Sequence, residues 1–489
     1  MIKIPSVHYL AIAPVLIFFG ASLALLVTSA LRRSRLSATA ATVFSATCSL
    51  AVVVVAVFQW LYVSQHGASE TISHAIVLDR FGSMATVAVA LGTLLTILVA
   101  RDWAIRTKLL GIENHILIMA TSAGAIMMAV ANDLVVIFLG LEILSIGLYV
   151  LVAMDRHRAR SAEAALKYFL LGGLAAAVFI YGVAILYGAT GTTTISTMSL
   201  FFAANYLLHP GLAYLGGALI LIAFAFKVAA VPFHNWAPDV YEGAPTPITG
   251  YMAAVVKVGA FLGFIRVILS GLGTNLDTWR PLLFALIVLS TIVGASVGLT
   301  QRNVKRLLAY SSINQAGFML LGLWAGTGRG IASTLFFVCT YVPVIIATFA
   351  IVGLVGGATD DQHDIESYRG LGRRQPWLGA ALALLLLSQL GAPFTLGFFA
   401  KFSVVAAVMD AGGTTLGVIT MISAAIAAAF YLRWTQILFA DPEPDQARLK
   451  VPGATGFVIA FGAVVVVVFG IWPTPIMWLC QHAAISFLP

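Results

Sequence analysis

Apolar runs of about twenty residues, the length a helix needs to cross a bilayer core, follow one another along almost the whole chain. Reading for such runs gives spans near 8–30, 40–64, 80–100, 112–131, 134–154, 166–189, 212–231, 248–269, 281–300, 305–325, 330–356, 378–407, 413–436 and 454–485. Of the 489 residues, 61% are hydrophobic and only 9% charged, where a soluble domain carries about 25% charged residues. No water-soluble core could hide that much apolar side chain, and no stretch of ordinary polar composition reaches the length of a domain. The expectation is an all-α integral membrane protein of about fourteen transmembrane helices. We read 1–489 as one polytopic domain, with three N-terminal spans in 1–110, units of five at 111–270 and 281–438, and a last span in 454–489.

The loop charges sort by side. Loops after odd-numbered spans hold Arg32, Arg33 and Arg35; Arg101, Arg106 and Lys108; Arg156, Arg158 and Arg160; Arg302, Lys305 and Arg306; Arg369, Arg373 and Arg374; and Arg433, Arg448 and Lys450. Loops after even-numbered spans hold only Arg80, Arg280 and Arg329. Basic residues stay on the cytoplasmic side, so the odd loops are expected there and both termini on the other side. One missed span would scramble this division. The first apolar run is long enough to span and is followed by arginines, which reads as a retained helix and not a cleaved leader.

The net charge of +8 is spent on these short loops. It is a topology signal and not a nucleic-acid patch. Cys48, Cys339 and Cys480 are scattered, without the clustering that iron–sulfur or structural zinc sites need. No glycine-rich turn opens a soluble nucleotide fold. No cofactor is expected in this chain.

A few charges remain inside apolar segments. Glu142 sits in Phe138-Leu-Gly-Leu-Glu-Ile-Leu-Ser145, Lys227 in Ala223-Phe-Ala-Phe-Lys-Val-Ala-Ala230, Lys257 in Ala253-Ala-Val-Val-Lys-Val-Gly-Ala260, and Lys401 in Gly397-Phe-Phe-Ala-Lys-Phe402. At ~2.5–3.5 kcal/mol each, four such groups cost on the order of 10 kcal/mol, as much as the whole stability of a domain. The alternatives differ by residue. A lysine near a span end can snorkel to the interface, which suits Lys167 and Arg266 and stays open for Lys227 and Lys401 if they lie shallower. Glu142 could serve only as a structural partner of one lysine. Asp133, at a span junction, reads as a helix cap. His234 is either a satisfied polar residue or, with an ordinary pKa near 6.5, a proton carrier.

The chemistry suits protons. Burial disfavours the charged form of an ammonium, and a nearby carboxylate restores it. Three lysines on different spans, joined by water and able to meet or leave Glu142, make a relay whose occupancy can be switched. No ring of carboxylates suits a bare metal cation. Two spans also carry helix breakers near a lysine: Lys227 with Pro232, and Gly391-Ala-Pro-Phe-Thr-Leu-Gly397 before Lys401. Broken backbone at membrane depth is tolerated where it lines a wet cavity. If spans 4–8 form one unit and spans 9–13 another of opposite orientation, the broken spans 7 and 12 hold the same fourth place in each. That arrangement predicts two inverted five-helix repeats.

The run Lys227-Val-Ala-Ala-Val-Pro-Phe-His-Asn-Trp-Ala-Pro-Asp-Val-Tyr-Glu-Gly-Ala-Pro-Thr-Pro247 resembles the antiporter-like membrane subunits of respiratory complex I. Its Pro-Asp-Val-Tyr-Glu-Gly-Ala-Pro form is similar to the subunit N type, as are Glu163-Ala-Ala-Leu-Lys-Tyr-Phe-Leu-Leu-Gly172, Tyr310-Ser-Ser-Ile313 and Asp364-Ile-Glu-Ser-Tyr-Arg-Gly-Leu371. The resemblance covers roughly 80–440. Subunit L types carry a lateral C-terminal helix and further spans, and subunit M types typically a glutamate where Lys401 stands. The resemblance implies that Glu142, Lys227, Lys257 and Lys401 match the family's functional glutamate and lysines, and that Lys167 matches a lysine assigned to proton entry. Two departures stand out. Asn314-Gln315-Ala316-Gly317 replaces a stretch that often holds histidine, and glutamine can hold water but cannot titrate. Only Pro393 marks the second break, where two prolines are usual, so a milder break is expected.

The resemblance implies a proton-translocating subunit of NADH-quinone oxidoreductase, with electrons passing from NADH to quinone in other subunits. Its partners would be other membrane subunits of that complex and the lipid bilayer, with no nucleic acid, and its place the bacterial inner membrane in preference to an organellar one. The alternatives are a subunit of a multi-subunit cation/proton antiporter, and a passive scaffold whose buried charges only fix helix register.

Overall fold

In hydrocarbon an isolated segment satisfies its own backbone only as a helix, and the chain is helix almost throughout. The structure is a computed structural model describing residues 7–31, 37–109, 111–155, 158–205, 210–442 and 448–487. The expected loop residues Arg32, Arg33, Arg35 and Arg156 lie outside that description. Helices α1 (Tyr9–Leu31), α2 (Ala38–His66) and α3 (Arg80–Thr107) form the N-terminal part, with a small hairpin of β1 (Ser69–Thr71) and β2 (Ile76–Leu78) between α2 and α3. Then come α4 (Glu113–Val130), α5 (Leu134–Val152), α6 (Ala159–Thr190) and the short α7 (Ile195–Ala204). The pair α8 (Gly211–Lys227) and α9 (Trp236–Gly243) precedes a continuous helical segment over Thr246–Gly271. Within that segment α10 (Thr246–Tyr251) and α11 (Lys257–Ile265) are joined and followed by π-helical turns, at Met252–Val256 and Arg266–Gly271.

The second half repeats the theme with α12 (Leu276–Gly298), α13 (Val304–Ala325), α14 (Gly328–Val355), a one-turn α15 (Leu371–Arg374), the pair α16 (Pro376–Leu390) and α17 (Leu396–Asp410), then α18 (Thr414–Phe439), α19 (Gly453–Ile471) and α20 (Thr474–Ile485). Among the described residues, eleven helices are long and apolar enough to cross a membrane. The apolar run expected at 454–485 is two helices, because Pro473 cannot continue the backbone ladder of α19. The hairpin and α7 were not anticipated.

Helix starts are set by local chemistry. Asp133 caps α5 as expected, its carboxylate accepting from Val135 N at 2.8 Å. Asp79 caps α3 through Gly82 N at 2.6 Å, and Asn303 caps α13 through Lys305 N at 2.9 Å. Neighbouring helices approach closely where glycine permits: a Cβ on Gly124 of α4 would stand 2.6 Å from the Gly140 carbonyl of α5. The Thr246–Gly271 segment and α14 are almost wholly enclosed, whereas α1, α2 and α6 turn most of their residues outward to lipid.

Two charged residues sit deeper than their sequence positions suggested. Arg266 does not snorkel: it is 5% exposed, ion-paired with Asp79 at 2.8 Å and hydrogen-bonded through Nε to the Ala129 carbonyl. The Phe81 and Phe487 rings flank its guanidinium at 5.1 and 5.6 Å. One ion pair thus ties the start of α3, the end of α4, the Thr246–Gly271 segment and the end of α20 together. Lys305, grouped with the loop residues, is fully buried at the start of α13 and donates to the Ala244 carbonyl at 2.5 Å. Near it lies Asp360, also fully buried, which caps α10 through Thr246 N at 3.0 Å and Thr246 Oγ1 at 2.6 Å. Burial alone would push the Asp360 carboxyl up, but Lys305 and the His363 and Thr246 hydrogen bonds hold it well below the usual carboxylate range. This cluster joins the two halves on the side of the basic loops.

Removing one partner of a buried pair strands the other charge. Asp79→Ala is expected to destabilise the protein by ~3–5 kcal/mol, with loss of the α3 cap included. Thermal or denaturant unfolding of the purified subunit in detergent measures this, and an unchanged midpoint would refute the role given to the pair.

Candidate functional site

The lysines sit where helices stop or loosen. Lys227 is the last residue of α8, and the backbone then leaves the helix over 228–235, with Ala229 at φ 58°. Lys401 lies in α17, just past the second break, where Gly391 at φ 92° and Phe394 at φ 61° turn the chain over 391–395. The second gap is shorter than the first. Lys257 opens α11 directly after a π-helical turn, an irregularity often found at functional positions. All three lysines are buried.

None is held by a carboxylate. Lys227 Nζ donates to Ser145 Oγ at 2.8 Å and to Tyr168 OH at 3.3 Å. Ser145 lies three residues beyond Glu142 on α5, hence on the same helix face. Glu142 is half-buried with one carboxylate oxygen enclosed and unpartnered, and among the described residues no ion pair joins it to a lysine. Lys257 Nζ donates to the Ser312 carbonyl and to Ser312 Oγ, both at 2.6 Å. Lys401 Nζ donates to the Leu390 carbonyl at 2.9 Å. That carbonyl ends α16, so the ammonium satisfies a terminal acceptor at the negative end of a half-helix.

Short side chains carry the line from one lysine to the next. Helix α9 bridges the first gap: its Trp236 stacks on Tyr168 at 4.8 Å, beside Lys227, and its Tyr241 OH lies 3.3 Å from Ser312 Oγ, beside Lys257. Helix α13 bridges the second, presenting Ser312 to Lys257 and, three residues on, Gln315 toward Lys401. Gln315 Nε2 donates to the Gln389 carbonyl at 2.8 Å. A small cavity of about 20 Å³ is lined by Gln315, Thr340, Tyr341, Ser388, Gln389 and Lys401, among others. A water needs only ~10–15 Å³ measured in this way. Gln315 Oε1, Gln389 Oε1 and Tyr341 OH are buried without a protein partner, so the cavity has acceptors and a donor ready for water. The Tyr341 ring also lies 5.7 Å from Lys257 Nζ.

The two weaker candidates stand off this line. Lys167 is half-exposed and paired at 2.8 Å with both Glu163 and Asp239, and Arg306 shares Asp239. It therefore belongs to an ion network at the end of α9, not to a lone snorkelling side chain. His234 is half-buried in the first break, with Nδ1 unpartnered and its ring 6.5 Å from that of Tyr310. The sequence assigned no role to Ser145, Tyr168 and Tyr241, which stood only within quoted runs, or to Tyr341 and Gln389, since hydroxyls and amides are common in membrane helices. Ser312 stood within a quoted motif, and Gln315 was noted only as a departure. Among the described residues, no group of three His, Cys, Asp or Glu side chains stands close enough to hold a metal ion.

A transmembrane family model described as NADH:quinone oxidoreductase/Mrp antiporter matches residues 131–427, a range that contains Glu142 and all three lysines. The NADH-quinone oxidoreductase subunit N of Gemmatimonas aurantiaca is 38% identical over 430 residues, 86% of this chain and 82% of its own. The protein of the same name from Mycobacterium bovis is 43% identical over 375 residues, 75% of this chain and 70% of its own. A chain of respiratory complex I from Thermus thermophilus, solved with bound aureothin, superposes with a TM-score of 0.80 at 31% identity, covering 95% of this chain and 98% of that one. The chain thus belongs to the NADH:quinone oxidoreductase/Mrp antiporter transmembrane family, on the branch whose members are named NADH-quinone oxidoreductase subunit N.

Proposed function

We propose that protons cross this chain along Glu142, Lys227, Lys257 and Lys401, and that the chain is the proton-translocating membrane subunit of an NADH-quinone oxidoreductase. Electron transfer from NADH to quinone belongs to other subunits, and no cofactor is assigned to this chain. The observation that carries the reading is that each lysine is buried at a helix end or irregularity and held only by neutral oxygens. A carboxylate at contact distance would lock the charge in place. Serine and tyrosine hydroxyls and a backbone carbonyl stabilise the ammonium less, so the proton can move on. Glu142, one turn from Ser145, can attract or release the Lys227 charge as that side chain moves. Lys167 and His234 are assigned supporting places, at the α9 ion network and in the first break.

The same reading takes the fold as fourteen spans in one polytopic domain, with α8–α9 and α16–α17 as the two broken spans and α19–α20 as the last. The breaks then hold corresponding places in two inverted five-helix units, within 111–270 and 281–438. The α16 end supplies its Leu390 carbonyl to Lys401, and the α8 end carries Lys227 itself. The membrane is the bacterial plasma membrane, and the partners are the other membrane subunits of the complex. Because the family also includes Mrp antiporters, the second reading is a cation/proton antiporter subunit. It requires that an imposed sodium gradient drive proton movement.

Lys227→Ala in the assembled complex is expected to lower proton pumping in inverted vesicles by roughly 10²-fold, with NADH-driven quinone reduction falling alongside and assembly retained. Full pumping in an assembled variant would return the lysine to a structural role. The cavity makes a second prediction. Gln315→His, which keeps a polar group, is expected to pump, whereas Gln315→Leu, which cannot hold water, is expected to lose most pumping at normal assembly. Equal rates in the two variants would remove Gln315 from the path.

A further inference from the structure

We infer that the cavity between α2, α3, α14, α19 and α20 is a binding site for one phospholipid, with an acyl chain inside and the headgroup phosphate at Arg80. The cavity holds about 390 Å³ and its walls are almost entirely apolar, Val57, Val87, Pro343 and Phe469 among them. It is partly open, and α2 and α19 in its wall turn most of their residues outward; an apolar space of this size at membrane depth is filled by hydrocarbon because empty walls forfeit their dispersion contacts.

The headgroup end is identified by charge. Three basic residues, Arg80, Arg280 and Arg329, mark the side opposite the basic loops. Arg280 is paired with Asp277 at 2.7 Å, and Arg329 is paired with Asp410. Among the described residues Arg80 has neither an ion pair nor a hydrogen bond, and its Nε is enclosed without a partner. Its guanidinium lies 5.7 Å from the ring of Trp60, which lines the cavity, and Ser83, another lining residue, is three residues further along α3. A tryptophan and an unpaired arginine at the mouth of an apolar cleft match the phosphate and upper chain of a phospholipid at the membrane interface.

The inner end gives the lipid a consequence. Thr340 lines this cavity and also the small polar cavity beside Lys401. The acyl chain therefore packs against a side chain shared with the polar cavity, and would keep water from reaching that cavity from this side. Cys339 lies in the same wall and offers a native probe.

The test uses the intact complex in nanodiscs of dioleoylphosphatidylglycerol containing a trace of the same lipid with a diazirine on its acyl chain. After illumination, adducts are expected on the cavity-lining segments of α3 and α14. Arg80→Gln should reduce them about fivefold, the effect of one lost charge at a membrane surface, and Arg80→Lys should restore them. Alkylation of Cys339 by N-ethylmaleimide should rise on delipidation and fall again when the phospholipid is added back, with Cys48 as an internal reference. Absence of adducts in the cavity of the unmodified complex, or recovery there of a quinone or a partner helix, overturns the proposal. An adduct yield that Arg80→Gln leaves unchanged overturns the headgroup assignment.

Discussion

An ammonium in hydrocarbon must find oxygen, and in this fold it finds it where a helix ends or loosens. Within a continuous α-helix each carbonyl already accepts from the amide four residues later, so a lysine can only share one, as Lys257 shares that of Ser312, whereas a helix end offers a carbonyl outright. Breaking α16 before α17 releases the Leu390 carbonyl to Lys401, and ending α8 at Lys227 turns that side chain toward Ser145 and Tyr168. The breaks and the lysines therefore depend on each other. An unbroken span 12 would leave Lys401 without its carbonyl, and a span 12 without Lys401 would leave a buried carbonyl unsatisfied.

Buried charge falls into two kinds here, separated by partners and not by depth. Arg266 with Asp79, and Asp360 with Thr246, His363 and nearby Lys305, are saturated by ion pairs and hydrogen bonds. They fix helices α3, α10 and α20 and the contact between the two halves. Lys227, Lys257 and Lys401 are equally enclosed but hydrogen-bond only to neutral groups. The first kind resists change, since removing one partner strands a charge. The second kind has no charged partner to strand, which is what the proposed proton relay requires. The saturated clusters lie toward the two ends of the helices and the lysines without ion pairs between them, so a firm frame surrounds the proposed relay.

Much of this was legible in the chain itself. Glu142, Lys227, Lys257 and Lys401 stood out because a charge in an apolar run has few reasons to be there, and Pro232 and Gly391 marked the breaks because they act on the local backbone. The cap at Asp133 was readable for the same reason. Arg266 and Lys305 read in the sequence as a snorkelling residue and a loop residue, and both are buried. Their burial depends on partners far away in sequence: Asp79 is 187 positions from Arg266, and the Ala244 carbonyl is 61 from Lys305. The split of the last apolar run at Pro473 was readable but was overridden by its hydropathy.

The all-helical membrane character and the four charges that stand inside apolar runs, Glu142, Lys227, Lys257 and Lys401, follow from the sequence alone, because they rest on transfer energies and backbone chemistry that act residue by residue. What connects those residues does not. That Ser145 and Tyr168 receive Lys227, that α9 reaches from Tyr168 to Ser312, and that Gln315, Gln389 and Tyr341 enclose a water-sized space beside Lys401 were decided by helix packing. Hydroxyls and amides are weakly polar, occur throughout membrane helices, and acquire a role only when another helix brings a charge within hydrogen-bonding distance.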